Sequence, residues 1–179
     1  ELVAEDIAAL HGRDEAVVQV QIRSADCGRR HAHNRIARIN DRRVRYVFDP
    51  DIAFEGNHTE LQQCLLNLCL NAIQAMPEGG TLKVETASEV IDADFLEPGE
   101  SAAPGRYLRL SVIDNGQGMA PEVLRRLFEP FFTTKETGTG LGLLSCKRIV
   151  ASHGGLMRVH SVAGEGTTFH LYLPLGAED

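Results

Sequence analysis

The stretch TELQQCLLNLCLNAIQAM, residues 59–76, carries the clearest helical pattern of the sequence and decides the predicted fold. Its apolar residues recur every three or four positions and form two adjoining stripes, one of Leu61, Leu65, Leu68 and Ala72 and one of Leu66, Leu70 and Ile73. A helix with so wide an apolar face is buried over much of its circumference. Thr59 can cap its first turn, with Gln62 completing a capping box, and Pro77 lies just beyond its end.

Three amide side chains interrupt this apolar surface. Asn67, Asn71 and Gln74 follow helical spacing, so they share one face of the helix. Since a buried amide costs free energy unless it is hydrogen-bonded, these groups need partners. They either bond to neighbouring loops or line a polar site, in which an amide oxygen can ligate Mg²⁺. Their spacing favours neither interpretation over the other.

Helices and strands alternate on both sides of this helix, and the strands mostly form hairpins. The predicted helices cover residues 1–12, 27–43, 121–128 and 141–153, and the predicted strands cover residues 44–48, 82–87, 107–114, 156–162 and 167–173. Residues 16–22 fit either element, and the basic residues of 27–43 suit a solvated helix face better than a docking surface for an acidic partner. Residues 88–106 are interpreted as a surface loop without chemistry. This order predicts an α+β two-layer sandwich, in which helices cover one face of a mixed β-sheet.

Two glycine-rich segments have the composition of ligand-binding loops. Asp114 ends a predicted strand and begins DNGQG, residues 114–118, where a carboxylate can accept a hydrogen bond from an exocyclic amine. The glycines of this segment allow a ligand to approach the backbone closely. GTGLG, residues 138–142, directly precedes a predicted helix, and the N–H groups at a helix N-terminus bind phosphate well. Thr134 and Lys135, just upstream, can add a hydroxyl and a positive charge.

Each glycine-rich segment also has a simpler interpretation. Residues 114–118 look like many surface turns, and residues 138–142 suit a flexible loop. GEGTT, residues 164–168, is by default a hairpin turn. Residues 138–142 are neither a P-loop nor a dinucleotide fingerprint, because no Gly-Lys-Ser/Thr follows and no βαβ unit frames them.

In their order along the chain, these segments resemble the sequence boxes of sensor histidine kinases. The amide-bearing helix resembles their N box, residues 114–118 their first glycine box, and FEPFFTTK, residues 128–135, their F box. Residues 138–142 and 164–168 resemble the second and third glycine boxes. The short interval between the F box and the second glycine box is similar to that of the nitrogen-regulation type of kinase.

The resemblance implies the Bergerat ATP-binding fold, which gyrase B, the heat-shock protein 90 chaperones and MutL share, with ATP and Mg²⁺ as cofactors. By analogy with the family, Asn71 ligates Mg²⁺ and Asp114 binds the adenine amine. Asn67, beside the triphosphate, and Lys135, within a mobile lid, are the implied catalytic residues. The implied nucleotide-binding residues are Asn71, Gln74, Asp114, Gly116, Gly118, Thr134, Gly138, Thr139, Gly140, Leu141, Gly142, Thr167 and Thr168. Which of the two last threonines supports the adenine end is left open.

The implied reaction is transfer of the ATP γ-phosphoryl group to a histidine, which depends on positioning and charge neutralisation. In the hydrolysing relatives, a glutamate four residues before the metal-binding asparagine activates water. Asn67 stands at that position here, and a neutral amide cannot act as a general base. We therefore expect slow hydrolysis and favour a histidine kinase over a serine kinase or an ATPase of the same fold. A nonenzymatic nucleotide sensor stays open as an alternative.

The sequence lacks the phosphoacceptor motif of this family, in which a histidine is followed by an acidic residue and then a proline. None of the seven histidines has that context. The expected partners are therefore the phosphoacceptor helices of the same or a partner protein, and the receiver domain of a response regulator. Residues 1–15 are interpreted as a remnant of a dimerisation helix or a linker, and residues 16–179 as the ATP-binding catalytic domain.

Composition places the chain among globular proteins, with 43% hydrophobic and 24% charged residues. The net charge of -7 argues against a nucleic-acid binder. No apolar run approaches the roughly 20 residues of a membrane span, and no signal peptide is visible, so we expect a cytoplasmic fragment without membrane contact. The missing initiator Met is interpreted as the mark of a fragment or a processed product, with membrane segments possible upstream. The four cysteines form no C-x-x-C pair and predict buried free thiols rather than a zinc site or a disulfide.

Overall fold

The computed structural model describes residues 3–4, 22–23, 33–39, 42–48, 54, 56–134 and 138–175. In this part of the chain, the elements are β1 (Val3–Ala4), β2 (Ile22–Arg23), β3 (His33–Ile39), β4 (Arg42–Phe48), α1 (His58–Gln74), β5 (Gly80–Ile91), β6 (Gly105–Asp114), α2 (Pro121–Arg126), α3 (Gly142–Ser152), β7 (Leu156–Val162) and β8 (Gly166–Pro174). A turn of 3₁₀ helix, Ala93–Phe95, lies between β5 and β6. Among these residues, no helix combines the length and apolar character that crossing a bilayer requires.

Six of the described strands form one mixed sheet in the order β3-β4-β5-β6-β8-β7. β4 and β5 are parallel because α1 carries the chain between them, whereas the other neighbours pair antiparallel. β1 and β2 form a separate antiparallel pair. The predicted α+β sandwich with a mixed sheet is confirmed.

The main core lies between one face of this sheet and the helices α1 and α3. Leu68 of α1 and Val150 of α3 are fully buried against sheet residues such as Leu171. Three cysteines, Cys64, Cys69 and Cys146, are buried here as free thiols, as the sequence predicts; Cys27 lies outside the described residues. Burial raises the pKa of the Cys69 thiol to about 12. These thiols therefore pack as small apolar groups.

The predicted helix over residues 27–43 is wrong where the structure describes it, and residues 27–32, 40 and 41 lie outside the described part of the chain. His33–Ile39 and Arg42–Phe48 are strands that pair antiparallel, with Ile39 opposite Arg42. The residues between them, Asn40 and Asp41, are of the type that favours tight turns. Pairing with the parallel strand β5 adds long-range hydrogen bonds that outweigh the local helical character of this basic segment.

The predicted helix over residues 1–12 is also wrong where the structure describes it. Val3–Ala4 is extended and pairs with Ile22–Arg23, and the other residues of the predicted helix lie outside the described part of the chain. Of the ambiguous residues 16–22, the structure describes Ile22, which lies in a strand. Whether a short segment forms a strand depends on the segment with which it pairs, and the local hydrophobic pattern does not identify that segment.

α1 begins with a different cap from the one predicted. Asn57 is the N-cap, and its side chain accepts a hydrogen bond from the Glu60 backbone N–H at 3.2 Å, so the Thr59 cap is wrong. The Asn57 N–H donates to Nε2 of His153 at 3.0 Å, while Nδ1 of His153 lies 2.7 Å from the Ile149 carbonyl and donates to it. The imidazole therefore joins the start of α1 to the end of α3.

Residues 88–106 differ from the predicted surface loop, because part of this range is strand and part packs against the sheet. β5 extends to Ile91, and the following segment folds over the second face of the sheet, where Arg158 donates to both carboxylate oxygens of Glu100 at 2.6 and 2.8 Å and to the Phe95 carbonyl at 3.1 Å. A second small core forms beneath it from Ile91, Tyr107, Leu156 and Tyr172, with Phe95, Leu96 and Ala102 packed against it. Both faces of the sheet are thus covered at this corner.

Candidate functional site

A cleft of about 430 Å³ opens between the C-terminal half of α1, the segments that follow β6, and the start of α3. Small-molecule sites typically enclose roughly 300–1,000 Å³. Of the predicted site residues, the cleft is lined by Asn71, Gln74, Asp114, Gly118, Thr134, Gly138, Thr139, Gly140, Gly142 and Thr167. Four segments that are distant in sequence therefore contribute to one cavity.

Four of the other predicted site residues, Thr168, Gly116, Leu141 and Asn67, do not belong to the described cleft lining. Thr168 follows Thr167 on β8 and points to the opposite face of the sheet, because successive side chains of a strand alternate. Gly116 packs against the backbone of Ala75, whose carbonyl a β-carbon at this position would strike. Leu141 has 41% of its surface exposed. Lys135 lies outside the described residues.

Asn67 is placed beneath the start of α3 rather than in the cleft lining. A β-carbon on Gly142, the first residue of α3, would lie 3.9 Å from both Cγ and Nδ2 of the Asn67 amide. The Asn67 side chain also hydrogen-bonds to the thiol of Cys146, one turn into α3. Asn67 therefore holds α1 against the helix whose N-terminus lines the cleft.

Asp114, the last residue of β6, supplies a buried carboxylate to the cleft. Its side chain is 6% exposed, and Oδ1 accepts a hydrogen bond from the Gly116 N–H at 2.9 Å. Burial raises the pKa of this carboxyl, and backbone hydrogen bonds from Gly116 and Thr167 oppose the rise. The side chain is thus fixed in orientation, with acceptor capacity left for a donor in the cleft.

The loop after Asp114 is clamped between α1 and the β7–β8 turn. The Gln117 N–H donates to the Ala75 carbonyl at 2.9 Å, and the Gly164 N–H donates to the Gln117 carbonyl at 2.7 Å. Gly118 has a φ of +63°, and a β-carbon there would strike the Val162 carbonyl. Only glycine combines this backbone conformation with this close approach.

Ser161, on β7, was not singled out by the sequence patterns. Its Oγ accepts a hydrogen bond from the Met119 N–H at 2.9 Å, donates to the Gly166 carbonyl at 3.0 Å, and lies 2.9 Å from Oγ1 of Thr167. Met119 and Thr167 both line the cleft. A serine inside a short alternating strand carries no distinguishing local signal, so this contact is visible only in the fold.

The start of α3 and the glycine loop before it form the other end of the cleft. Gly140 has a φ of +67°, and a β-carbon there would collide with the backbone of Phe131. In the described part of the chain, no side chain caps α3, so the N–H groups of its first turn are available to a ligand. This end of the cleft suits an anion.

The described residues contain no cluster of three or more His, Cys, Asp or Glu side chains that could hold a metal ion. Among the described residues of the cleft lining, the side chains with oxygens of the type that hard cations bind include the Asp114 carboxylate and the Asn71 amide. Mg²⁺ commonly takes one or two protein ligands and completes its octahedron with water and substrate phosphates. The donor set therefore fits a magnesium ion that arrives with a phosphate ligand.

Comparisons with known proteins find similar sequences and similar folds. A profile of the family described as "Histidine kinase-, DNA gyrase B-, and HSP90-like ATPase" matches residues 56–177, which contain the whole cleft lining. The sensor histidine kinase ZraS of Escherichia coli (strain K12) is 40% identical over 156 residues, which are 87% of this chain and 28% of that protein. Sporulation kinase C of Bacillus subtilis (strain 168) is 37% identical over 123 residues, 69% of this chain and 25% of that protein. The chain thus spans about a quarter of the length of these curated relatives.

Solved structures show the same fold. The catalytic domain of the histidine kinase ThkA is 32% identical with a TM-score of 0.55, over 73% of this chain and 78% of that chain. Full-length ShkA in complex with AMPPNP is 28% identical with a TM-score of 0.56, over 75% of this chain and 26% of that chain.

Proposed function

The chain belongs to the family of histidine kinase-, DNA gyrase B- and HSP90-like ATPases, and on that premise we propose that it binds Mg-ATP in the cleft and transfers the γ-phosphoryl group to a histidine on a helix outside this sequence. The observation that carries the proposal is that Asn71, Asp114 and Gly140 line one cavity. Three unrelated surface features would not converge in this way.

The adenine binds at the Asp114 end of the cleft. The buried carboxylate accepts a hydrogen bond from the exocyclic amine, and Thr167 lies beside it on the neighbouring strand. Apolar side chains of the lining, such as Met119 and Leu143, cover the faces of the base.

The phosphates bind at the other end, against residues 138–142 and the first turn of α3. Backbone N–H groups there neutralise negative charge without a side chain of their own, as helix N-termini do for phosphate. Thr134 and Thr139 line this end and can add hydroxyl hydrogen bonds. The role of Lys135 at the phosphates stays a prediction.

The Asn71 oxygen would hold Mg²⁺ between α1 and the phosphates. The ion, when bound, neutralises charge that develops on the phosphoryl oxygens during transfer. Asn71 and the α3 N-terminus thus orient the triphosphate, while Asn67 supports α3 from below. The side chain of Asn67 is a neutral amide and cannot take a proton from water, so hydrolysis is slow and transfer to a positioned imidazole is favoured.

The partners follow from this reaction. The acceptor histidine belongs to a helix of the same or a partner protein, and the phosphoryl group passes on to the receiver domain of a response regulator. A reaction that consumes ATP and serves a response regulator also suits a cytoplasmic location.

Labelled ATP tests the proposal directly. The chain is mixed with Mg²⁺, γ-labelled ATP and a separately produced helical protein that carries a phosphoacceptor histidine. We expect acid-labile phosphohistidine on the helical protein. At an ATP concentration below the dissociation constant, it should be strongly reduced in the Asp114→Asn variant and retained in Asp94→Asn, which removes the same charge at an exposed position. Acid-stable phosphoserine would favour a serine kinase, binding without transfer would favour a nucleotide sensor, and absence of binding would refute the site.

A further inference from the structure

We propose that Ser161 is a positioning residue that makes the base end of the cleft selective for a 6-aminopurine. The inference rests on the proposed function and deepens it, because it concerns how the same site distinguishes adenine from a 6-oxopurine. It begins from a row of three residues. Asp114, Thr167 and Ser161 stand opposite one another across β6, β8 and β7.

The hydrogen bonds of Ser161 determine where its single proton lies. Oγ is 3.0 Å from the Gly166 carbonyl, which can only accept, and 2.9 Å from the Met119 N–H, which can only donate. Because a carbonyl oxygen can only accept, the Ser161 hydroxyl is the donor in its contact with Gly166. The Ser161 proton therefore points to Gly166, and Ser161 acts as an acceptor toward its other neighbours.

The direction of the Thr167 hydroxyl follows. Oγ1 of Thr167 is 2.9 Å from Oγ of Ser161, and with the serine proton on Gly166 the threonine must donate this bond. Oγ1 then presents only lone pairs to the cleft. The Asp114 carboxylate on the adjacent strand is also an acceptor. The base end thus offers acceptors from two side chains.

Two acceptors at the base end favour the binding of adenine and disfavour the binding of hypoxanthine or guanine. The 6-amino group of adenine carries two protons and donates to such a site directly or through one water. A 6-oxo group would place its lone pairs against those of Asp114 or Thr167, and buried polar groups left unpaired are a strong source of discrimination. Ser161 does not touch the base, because it acts by denying the Thr167 proton to the cleft.

The test compares Mg-ATP with Mg-inosine triphosphate, in which a 6-oxo group replaces the 6-amino group. Dissociation constants are measured by calorimetry for the native chain, Ser161→Ala and Ser161→Thr. We expect Ser161→Ala to bind ATP about tenfold more weakly, with affinity for inosine triphosphate unchanged or improved, because Thr167 is free to donate. Ser161→Thr keeps a hydroxyl and keeps the native preference. Ser152→Ala is the matched control, since its hydroxyl donates to the Ile149 carbonyl at 2.8 Å away from the cleft.

Two further variants separate positioning from a loss of packing. Ser161→Cys preserves the shape of the side chain with a weak hydrogen-bonding thiol, and it should shift the ATP preference in the same direction. The double variant Ser161→Ala/Thr167→Val should discriminate no worse than Thr167→Val alone, because both changes act through one hydroxyl.

An equal loss of affinity for both nucleotides in the Ser161 variants would overturn the inference, as would additive effects in the double variant or an unchanged preference. Each of these leaves the proposed function intact as long as the native chain binds Mg-ATP. If the native chain binds neither nucleotide, the proposed function fails and the inference falls with it.

Discussion

Replacing Asp114 by asparagine should weaken ATP binding without lowering the stability of the fold. The carboxylate binds the nucleotide, but its burial costs free energy in the folded state. The change keeps the shape of the side chain and removes its negative charge. The groups that hydrogen-bond to the carboxylate are donors: the N–H groups of Gly116 and Thr167 and, in the proposed complex, the adenine amine. An asparagine keeps one acceptor oxygen for the backbone N–H groups and turns its own N–H groups toward the adenine amine, which is also a donor.

The expected decrease in ATP affinity follows from the burial of Asp114. At 6% exposure, water cannot easily replace the lost contact. A hydrogen bond to a charged group contributes about 1.5–3 kcal/mol, so the ATP dissociation constant should rise by about ten- to a hundredfold.

The stability effect has the opposite sign. Burial raises the pKa of Asp114 above its ordinary value of 3.8, so the folded state disfavours the ionised form. The stabilising contribution of this group is fully present below its unfolded pKa and is lost as pH rises through the folded pKa. At pH 7 the asparagine variant should therefore unfold at the same or a higher temperature than the native chain.

The assay is a Mg-ATP titration and a thermal melt of the native chain, Asp114→Asn and the exposed control Asp94→Asn. Weaker binding without a lower melting temperature is expected for Asp114→Asn alone. ATP affinity within twofold of the native value would refute the assignment of the adenine end, and a matching drop in the control would show that net charge is the cause.

Three further outcomes are expected. Asn71→Ala should lower the affinity for Mg-ATP on the order of tenfold, the equivalent of one charge-assisted contact, and leave affinity for metal-free ATP unchanged; equal losses with and without Mg²⁺ would contradict the metal role. Gly118→Ala should lower the free energy of unfolding by about 1–3 kcal/mol or more, since it forces an alanine into a left-handed conformation against the Val162 carbonyl, whereas Gly105→Ala, with open space around it, should have little effect in the same denaturant melt. The unfolding free energy of the native chain should fall as pH rises just above 3.8 relative to that of Asp114→Asn, and parallel pH profiles would exclude the buried carboxyl as the cause.

The segments that carry local signals could be predicted from the sequence. α1 was predicted over residues 59–76 and spans His58–Gln74, and β7 was predicted over residues 156–162 and spans Leu156–Val162. Helical periodicity, strand alternation and glycine punctuation depend on neighbours a few residues apart, which a sequence displays directly. The segments expected to contribute to one site, around Asn71, Asp114 and Gly140, also come together in the cleft.

Other features depend on which distant segment packs against which. Within the basic residues 27–43, the described part forms strand β3 and the start of strand β4, and β4 pairs with the distant strand β5. The interval between β5 and β6 packs against the second face of the sheet. That Thr167 and not Thr168 lines the cleft depends on the orientation of β8, and the place of Ser161 beside Thr167 depends on the pairing of β7 with β8.

The sequence by itself determined the sandwich class, the central helix and the polar groups available to a nucleotide, because periodicity and residue chemistry are local properties. Only the tertiary structure decided the strand order, the face on which each threonine lies and the contact between the Ser161 and Thr167 hydroxyls. Those features arise from hydrogen bonds between residues far apart in the chain. The partner in such a bond cannot be identified from the neighbouring residues in the sequence.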